Sequence, residues 1–478
     1  MTDPLDAVAA GMGPEASGKL ALIAGGAELT FADLGRRVAR AQAALERAGV
    51  GPGSRVALRA TNRLETVVMI HALVRLGAPL VPIHPRSTDV EAAALVRDVE
   101  PTRVLDDAAV DALVAGAPAA NCAPARDEPI LAIVYTSGTT GRPKGAILGR
   151  DAFVASAAAS AENLGWTEDD RWLLCMPLCH IGGLSISTRC LLARRPVILE
   201  PHGGARFEPR AVLSAIERHR ATLLSVVPTM LRALLDEDRR GALARLRVVL
   251  VGGAAAPSAL LAECARRGVP ALTTYGLTEA CSQVTAQRPR AVRSSAPEPG
   301  CGRPLRGVEI RIQDDEDDAP PGVVGRIHVR GATCMRGYWN DRPLAPGAWL
   351  DTGDLGEIDE EGRLFVHARR TDLIVTGGEN VYPVEVEQVL EACHGVERAL
   401  VFGIPDERWG QLVAAAIVPQ PGRDLDDGRL SAELAARLSP HKRPRALCQV
   451  EALPITAAGK PDRAGAALLL APRLRSFT

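Results

Sequence analysis

The stretch YTSGTTGRPKG, residues 135–145, holds the residue types that could do chemistry most directly. Gly138, Gly141 and Gly145 alternate with the hydroxyls of Thr136, Ser137, Thr139 and Thr140, and Lys144 follows. Glycines let backbone N–H groups close around an anion, hydroxyls donate further hydrogen bonds, and a lysine adds positive charge. A polyphosphate is the ligand that this combination suits. It is not the Walker pattern G-x-x-x-x-G-K-[ST], because Pro143 precedes the lysine and Gly145 follows it. A solvated Gly/Ser/Thr hairpin is the competing reading.

Four further stretches carry usable groups. Gly252-Gly253-Ala254, followed by Pro257, stands at the C-terminal end of an apolar run, where ligands of open α/β sheets gather; a helix-start turn is the alternative. In Thr274-Tyr275-Gly276-Leu277-Thr278-Glu279 a flat aromatic could stack on a purine and a carboxylate could hold Mg²⁺ between phosphate oxygens, unless these are a core tyrosine and a surface acid. Asp354, beside Gly353, could accept hydrogen bonds from ribose hydroxyls or simply end a β-turn. Lys460 closes the run Pro454 to Gly459, in which a lone lysine would ordinarily serve solubility.

In this order the stretches resemble the adenylate-forming superfamily, the acyl- and aryl-CoA synthetases, peptide-synthetase adenylation domains and luciferases, and the resemblance covers nearly the whole chain. It implies ATP and CoA as co-substrates with Mg²⁺, the 135–145 loop on phosphates, Tyr275 on adenine, Thr278 at the α-phosphate and Glu279 on the metal. It further implies Asp354 on the ribose, Arg369 on ribose and phosphate, and Gly377-Gly378 beside the thiol's path in a second half-reaction. Lys460 falls where the family keeps the lysine that bridges the substrate carboxylate and the α-phosphate. Two positions depart from the pattern: Ala368 replaces a glycine, and Thr371 occupies the hinge where Asp or Lys is common.

Residues 176–192, MPLCHIGGLSISTRCLL, are expected to line the acyl pocket, with His180, Gly182, Gly183, Leu184, Ser185 and Arg189 toward the substrate. A pocket for an amino acid needs a carboxylate to hold the ammonium, yet no acidic residue stands between Asp170 and Glu200. The acid therefore lacks an amino group, and Arg189 invites a second negative charge. The pattern P-L-x-H-I-x-G-L-S-x-x-x-R resembles the 2-succinylbenzoate–CoA ligases of menaquinone biosynthesis, whose substrate is an aromatic ring with two carboxylates. Another aryl- or acyl-CoA ligase, an enzyme that loads a carrier protein, and a nucleotide-binding regulatory protein without turnover remain as alternatives.

Elements must hold these groups in place. Thr30 caps a helix running to Ala48, in which Phe31, Leu34, Val38, Ala41 and Leu45 recur at helical spacing. A second helix, Glu65 to Leu76, stops at Gly77. Apolar runs at 55–58, 80–83, 130–134, 172–174, 197–199, 223–227 and 246–251 read as strands, and 151–164 and 181–192 as helices. Their alternation predicts βαβ units and mostly parallel sheets. Residues 111–128, rich in Ala, Pro and Gly, read as a loop, and 308–313 with 324–330 as antiparallel strands. The fold class expected is α/β: a large N-terminal domain, 1–369, with mostly parallel sheets and a small antiparallel β subdomain, and a small mobile α+β C-terminal domain, 370–478.

At 478 residues and a net charge of −1, with basic and acidic residues interleaved, the chain offers no electrostatic case for nucleic acid or a membrane surface. Ten cysteines include no C-x-x-C pair. Cys175 and Cys179 stand beside His180, but a zinc site would need further ligands. No run of about 18 apolar residues occurs. A cytoplasmic enzyme acting on small molecules is expected, with a homodimer left open.

Overall fold

The computed structural model describes residues 5, 17–59, 61–116, 128–136, 143–199, 207–289, 298–314, 317–369, 372–376, 379–406, 409–438, 440–456 and 460–477. Ser137 to Gly141, Thr371, Gly377 and Gly378 lie outside these residues, as do the side chains at 368 and 369.

The first helix spans Phe31–Arg47, and its five predicted apolar positions are all buried. Thr30 and Asp33 close a reciprocal capping box at its start, satisfying two N–H groups that the helix itself cannot pair. The second, Leu64–Leu76, is buried almost all round and ends on Gly77 at φ 68, a left-handed cap that glycine adopts without a Cβ penalty.

A nine-stranded sheet runs in the order Arg303–Pro304, Ser282–Ala286, Ala271–Leu277, Val248–Val251, Leu223–Val226, Trp172–Leu174, Val197–Leu199, Leu20–Ala24, Ala27–Thr30. Its six central strands are parallel and its outer pairs antiparallel. From Trp172–Leu174 the chain adds one strand on one side and the following strand on the other. That reversal is a topological switch point, the place where a crevice opens beyond the strands' C-terminal ends.

A second sheet orders Arg103–Leu105, Val56–Arg59, Leu80–Ile83, Ile130–Thr136 and Lys144–Gly149, parallel except for the last pair. That antiparallel pair is a hairpin whose connection is the glycine-rich loop. The third sheet is antiparallel throughout: Asp317–Asp318, Val308–Asp314, Gly325–Gly331, Leu350–Ile358, Leu364–Arg369.

The fourth sheet holds Glu379–Val381, Ile374–Thr376, Gly410–Pro419, Ala446–Gln449 and Arg475–Ser476, with Val396–Asp406 along Gly410–Pro419. Alternate residues of the long strands face opposite ways, as the pleat requires. Val401, Val413 and Ala415 pack with helices Pro383–Glu391 and Asp427–Arg437, while Leu400, Phe402, Ala414 and Ala416 pack with Arg463–Leu470.

Two readings need correction. Residues 111–114, expected to begin a loop, instead complete a helix, Asp107–Val114, because Asp106 caps it and Val110 and Val114 give it a buried face. The strand expected at 246–251 begins at Val248, since Leu246 closes a short 3₁₀ turn and the Arg247 side chain is drawn to Asp170. Among the described residues no helix is long and apolar enough to cross a membrane.

Candidate active site

The carboxyl ends of the central strands deliver most of the predicted residues to one crevice. Beyond Val248–Val251 come Gly252 and Gly253. A Cβ at Gly252 would stand 2.8 Å from Thr274 Cγ2, so only glycine lets the two strand ends approach this closely. Gly253 has φ +78, and a Cβ there would lie 4.0 Å from Lys460 Cε. The lysine from the far end of the chain thus reaches the switch point. Its turn is closed by Thr456 N–H donating to the Lys460 carbonyl (2.7 Å) and Lys460 N–H donating to Thr456 Oγ1 (3.2 Å).

Strand Ala271–Leu277 leads into a 3₁₀ turn, Thr278–Ala280, which carries Glu279. Gly276 is required here as well, because a Cβ would meet Ser282 O at 1.9 Å. Cys281 and Ser282 take φ 51 and φ 93, a backbone strain that tends to collect at functional sites. Tyr338 OH donates to Glu279 Oε1 (2.9 Å), and Lys144 Nζ lies 5.1 Å from the centroid of the same tyrosine ring. The segment around Tyr338 also braces both sides through its backbone. Met335 N–H donates to Glu279 O, Trp339 N–H to Gly145 O and Arg336 N–H to Ile147 O.

Thr136 and Lys144 face each other at the base of the glycine-rich hairpin. Tyr275 is buried, and its OH donates to Asp354 Oδ2 (2.7 Å), joining the nine-stranded sheet to the antiparallel one. Asp354 lies within a strand rather than ending a turn; the tight turn is Gly353's, whose N–H donates to Asp351 Oδ1 at φ 72. The backbone of Arg369 pairs with that of Asp354.

The loop after Trp172–Leu174 carries Met176 to His180. Asn62, itself buried, clamps it by donating to Met176 O (2.9 Å) and accepting from Leu178 N–H (3.0 Å). Gly183 opens the following helix against that loop, where a Cβ would meet Pro177 O at 2.2 Å. Gly182 lies beside Met176, and Leu184 is buried. Burial first, and then the electrostatic influence of His84, Lys460 and Arg86, pushes His180 down to about 4, so its imidazole is neutral at physiological pH.

One helical turn apart, Ser185 and Arg189 do share a side. Ser185 Oγ lies 3.4 Å from Ser282 Oγ, and Arg189 Nη2 donates to Ser156 Oγ (3.3 Å), which donates in turn to Cys281 O. Arg189 is buried, its Nε has no partner, and no carboxylate among the described residues pairs with it. Burial lowers it to about 10, which leaves it cationic at neutral pH.

His84, Cys179 and His180 bring three donor atoms within 4.8 Å of one another, supplying the extra ligand that the sequence lacked near Cys179. A metal ion is nonetheless opposed there. His84 Nδ1 accepts the Arg86 N–H (3.0 Å), which leaves the ring proton on Nε2, the reverse of what a ligating histidine arranges with its second nitrogen.

Asn62, Tyr338 and His84 were not singled out from sequence. Tyr338 alone left a signal, an aromatic pair in a glycine-bounded loop of a chain with four tyrosines.

The model of the AMP-binding enzyme family matches residues 13–339, and that of the AMP-binding enzyme C-terminal domain matches 385–460. The chain belongs to the AMP-binding enzyme family. Within it, the chain is 36% identical over 453 residues to the 2-succinylbenzoate–CoA ligase of Bacillus mycoides, covering 91% of this chain and 92% of that one. It is also 36% identical over 471 residues to the indoleacetate–CoA ligase of Aromatoleum aromaticum, at 91% of each. The o-succinylbenzoate CoA synthetase of Bacillus subtilis, solved with its acyl-adenylate intermediate, superposes with a TM-score of 0.88 at 34% identity, over 100% of this chain and 99% of that one. The same synthetase with ATP and a magnesium ion gives a TM-score of 0.85.

Proposed function

We propose that this AMP-binding enzyme is an ATP-dependent carboxylate–CoA ligase that converts 2-succinylbenzoate to 2-succinylbenzoyl-CoA, a step of menaquinone biosynthesis. The carboxylate oxygen attacks the α-phosphorus of ATP, giving acyl-AMP and releasing pyrophosphate. The CoA thiol then attacks the acyl carbon, loses its proton, and AMP leaves. The observation that carries this reading is Lys460 standing against Gly253 at the switch point, with Glu279 and the His180 loop rimming the same crevice.

Lys460 offsets the charge that gathers between carboxylate and α-phosphate, with Thr278 alongside. Neutral His180 walls the acyl side without adding charge. Thr136, Lys144 and the 137–141 loop take the phosphates, Gly252 to Ala254 and Thr274 to Gly276 the adenine side, and Asp354 with Arg369 the ribose. The Glu279 carboxylate, oriented by a phenol and without a cationic partner among the described residues, would suit a Mg²⁺ ion brought with ATP. Bound there, the ion would neutralise phosphate charge. We place the domain junction at 369/370, Thr371 at the hinge and Gly377-Gly378 on the thiol's path, all from the family's pattern. A cytoplasmic location is supported by the nine described cysteines, every one a free thiol.

Identity does not choose the acid, since the relatives that act on 2-succinylbenzoate and on indoleacetate are equally similar. Arg189 favours a dicarboxylate: a buried guanidinium without an acid partner is costly unless a ligand brings the missing charge. The test is acid-dependent ATP–pyrophosphate exchange over a panel of acids, followed by thioester formation with CoA. Wild type should prefer 2-succinylbenzoate to aryl monocarboxylates. Arg189→Leu should lower kcat/KM for 2-succinylbenzoate by about tenfold or more, the value of one charge-assisted contact, and leave a monocarboxylate nearly unchanged. Equal losses would make Arg189 structural. A wild-type preference for the monocarboxylate would refute the choice of acid, and exchange without thioester would favour a carrier-protein acceptor.

A further inference from the structure

Lys460 must be placed within a fraction of an ångström, yet it stands on a turn of the small sheet, and the connection about which that sheet would rotate lies some ninety residues earlier in the chain. What joins the two is Arg463. Its Nη2 donates to both carboxylate oxygens of Glu387 (2.8 Å each), its Nη1 reaches Asp372 Oδ2 (3.3 Å), and its Nε donates to the Val401 carbonyl (3.1 Å). Glu387 Oε1 also accepts from Val401 N–H (2.8 Å). Arg463 and Glu387 are each 13% exposed, so this knot is largely shielded from water and rigid. Asp462 N–H meanwhile donates to Pro454 O, and Asp462 Oδ1 caps the helix beginning at Arg463, so the lysine turn is fastened to the same helix.

We propose that Arg463 is a positioning residue for adenylation: it ties the Lys460 turn to Asp372, the first described residue past the hinge, so that lysine and hinge move as one body. The Glu387 contacts anchor Arg463 to the small sheet, and the Asp372 contact transmits the hinge's position to the turn. The 377–378 hairpin, assigned to thioester formation, follows Asp372 directly along the chain and does not need the tie. Losing Arg463 therefore uncouples Lys460 alone. This inference rests on the two half-reactions proposed above.

The experiment compares wild type, Asp372→Asn, Arg463→Gln and Arg463→Lys as full-length proteins. It measures acid-dependent ATP–pyrophosphate exchange, thioester formation from preformed acyl-adenylate, and Tm. Asp372→Asn takes the charge off the arm toward the hinge and keeps the side chain's size. Its exchange kcat should fall about tenfold, the value of one hydrogen bond to a charged group, with KM for ATP, the thioester rate and Tm unchanged. Arg463→Gln should lose more exchange, and Arg463→Lys should recover part of it by keeping the charge. Equal loss in both half-reactions, or unaltered exchange in Asp372→Asn, overturns the proposal. Exchange absent from wild type would instead overturn the proposed function, which keeps the two failures apart.

Discussion

At the scale of single residues, the site depends on groups that have no reaction of their own. Tyr338 is the clearest, because its phenol and ring meet a carboxylate and an ammonium brought from two different sheets. Its hydroxyl orients Glu279 without neutralising it, whereas a lysine there would compete with a metal ion for the carboxylate. Tyr338→Phe keeps the ring beside Lys144 and removes only the bond to Glu279. A hydrogen bond to a charged group contributes about 1.5–3 kcal/mol, so KM for MgATP should rise about tenfold or more while KM for the acid stays put. Steady-state exchange kinetics with each substrate varied would show this. A rise in KM for the acid alone would place Tyr338 on the acyl side and refute the assignment. His180 illustrates the same dependence on surroundings. A histidine on the proposed acyl side could serve as a cation, but burial, His84, Lys460 and Arg86 hold it neutral, which in the proposed mechanism leaves the charge to Lys460.

At the scale of elements, the two ends of the nine-stranded sheet do different work. The C-terminal ends carry the proposed site. At the opposite end one carboxylate ties three neighbouring strands, for Asp170, Thr222 and Arg247 stand just before the strands at 172, 223 and 248. Asp170 is fully buried and accepts from Arg247 Nε (2.9 Å), Arg247 Nη2 (2.6 Å), Thr222 Oγ1 (2.8 Å) and Thr167 N–H (2.8 Å). Burial alone would raise its pKa, but the bonds from Arg247, Thr167 and Thr222 outweigh it and hold it below the usual value of 3.8. A depressed carboxylate stabilises the fold above its unfolded pKa, and that contribution is lost as pH falls through the folded pKa. Asp170→Ala should cost about 3–5 kcal/mol at neutral pH, because it leaves Arg247 without its partner. The gap from wild type in thermal melts should narrow once the pH drops below about 4. A gap that persisted undiminished into acid would show that packing, not charge, is what the substitution removes. Sequence patterning made the sheet's apolar strands readable, as it did helix Phe31–Arg47 with its capping threonine. It did not reveal strands 271–277, 282–286 and 350–358. Their Thr, Gln, Gly and Asp residues face neighbouring layers or the crevice, so no two-residue alternation survives. Helix 107–114 was hidden for a related reason, its alanines reading as loop until Asp106 and two buried valines give it an end and a face.

At the scale of the whole molecule, the question is how one crevice can serve two reactions that need different neighbours. The motifs in the sequence are enough to propose which residues meet the phosphates and the sugar, yet they could not show that residue 460 returns to the strand end at 253, because contact between distant segments follows from topology and leaves no local mark. In the structure the lysine is delivered there, the position that the proposed first half-reaction requires of it. Negative charge is greatest between carboxylate and α-phosphate in the adenylation transition state, and a single preorganised donor at such a place typically supplies a factor of about 10²–10³ in rate. In the proposed thioester step the bond being broken is already activated, and a turn of the small sheet to admit the thiol would take Lys460 away. Lys460→Ala should therefore depress acid-dependent ATP–pyrophosphate exchange by that factor and leave the conversion of preformed acyl-AMP and CoA to thioester near the wild-type rate. Both rates can be read on the same preparation, with its Tm as a check on folding. If the second rate falls as far as the first, the lysine takes part in both steps, and alternation of the small sheet is not what divides them.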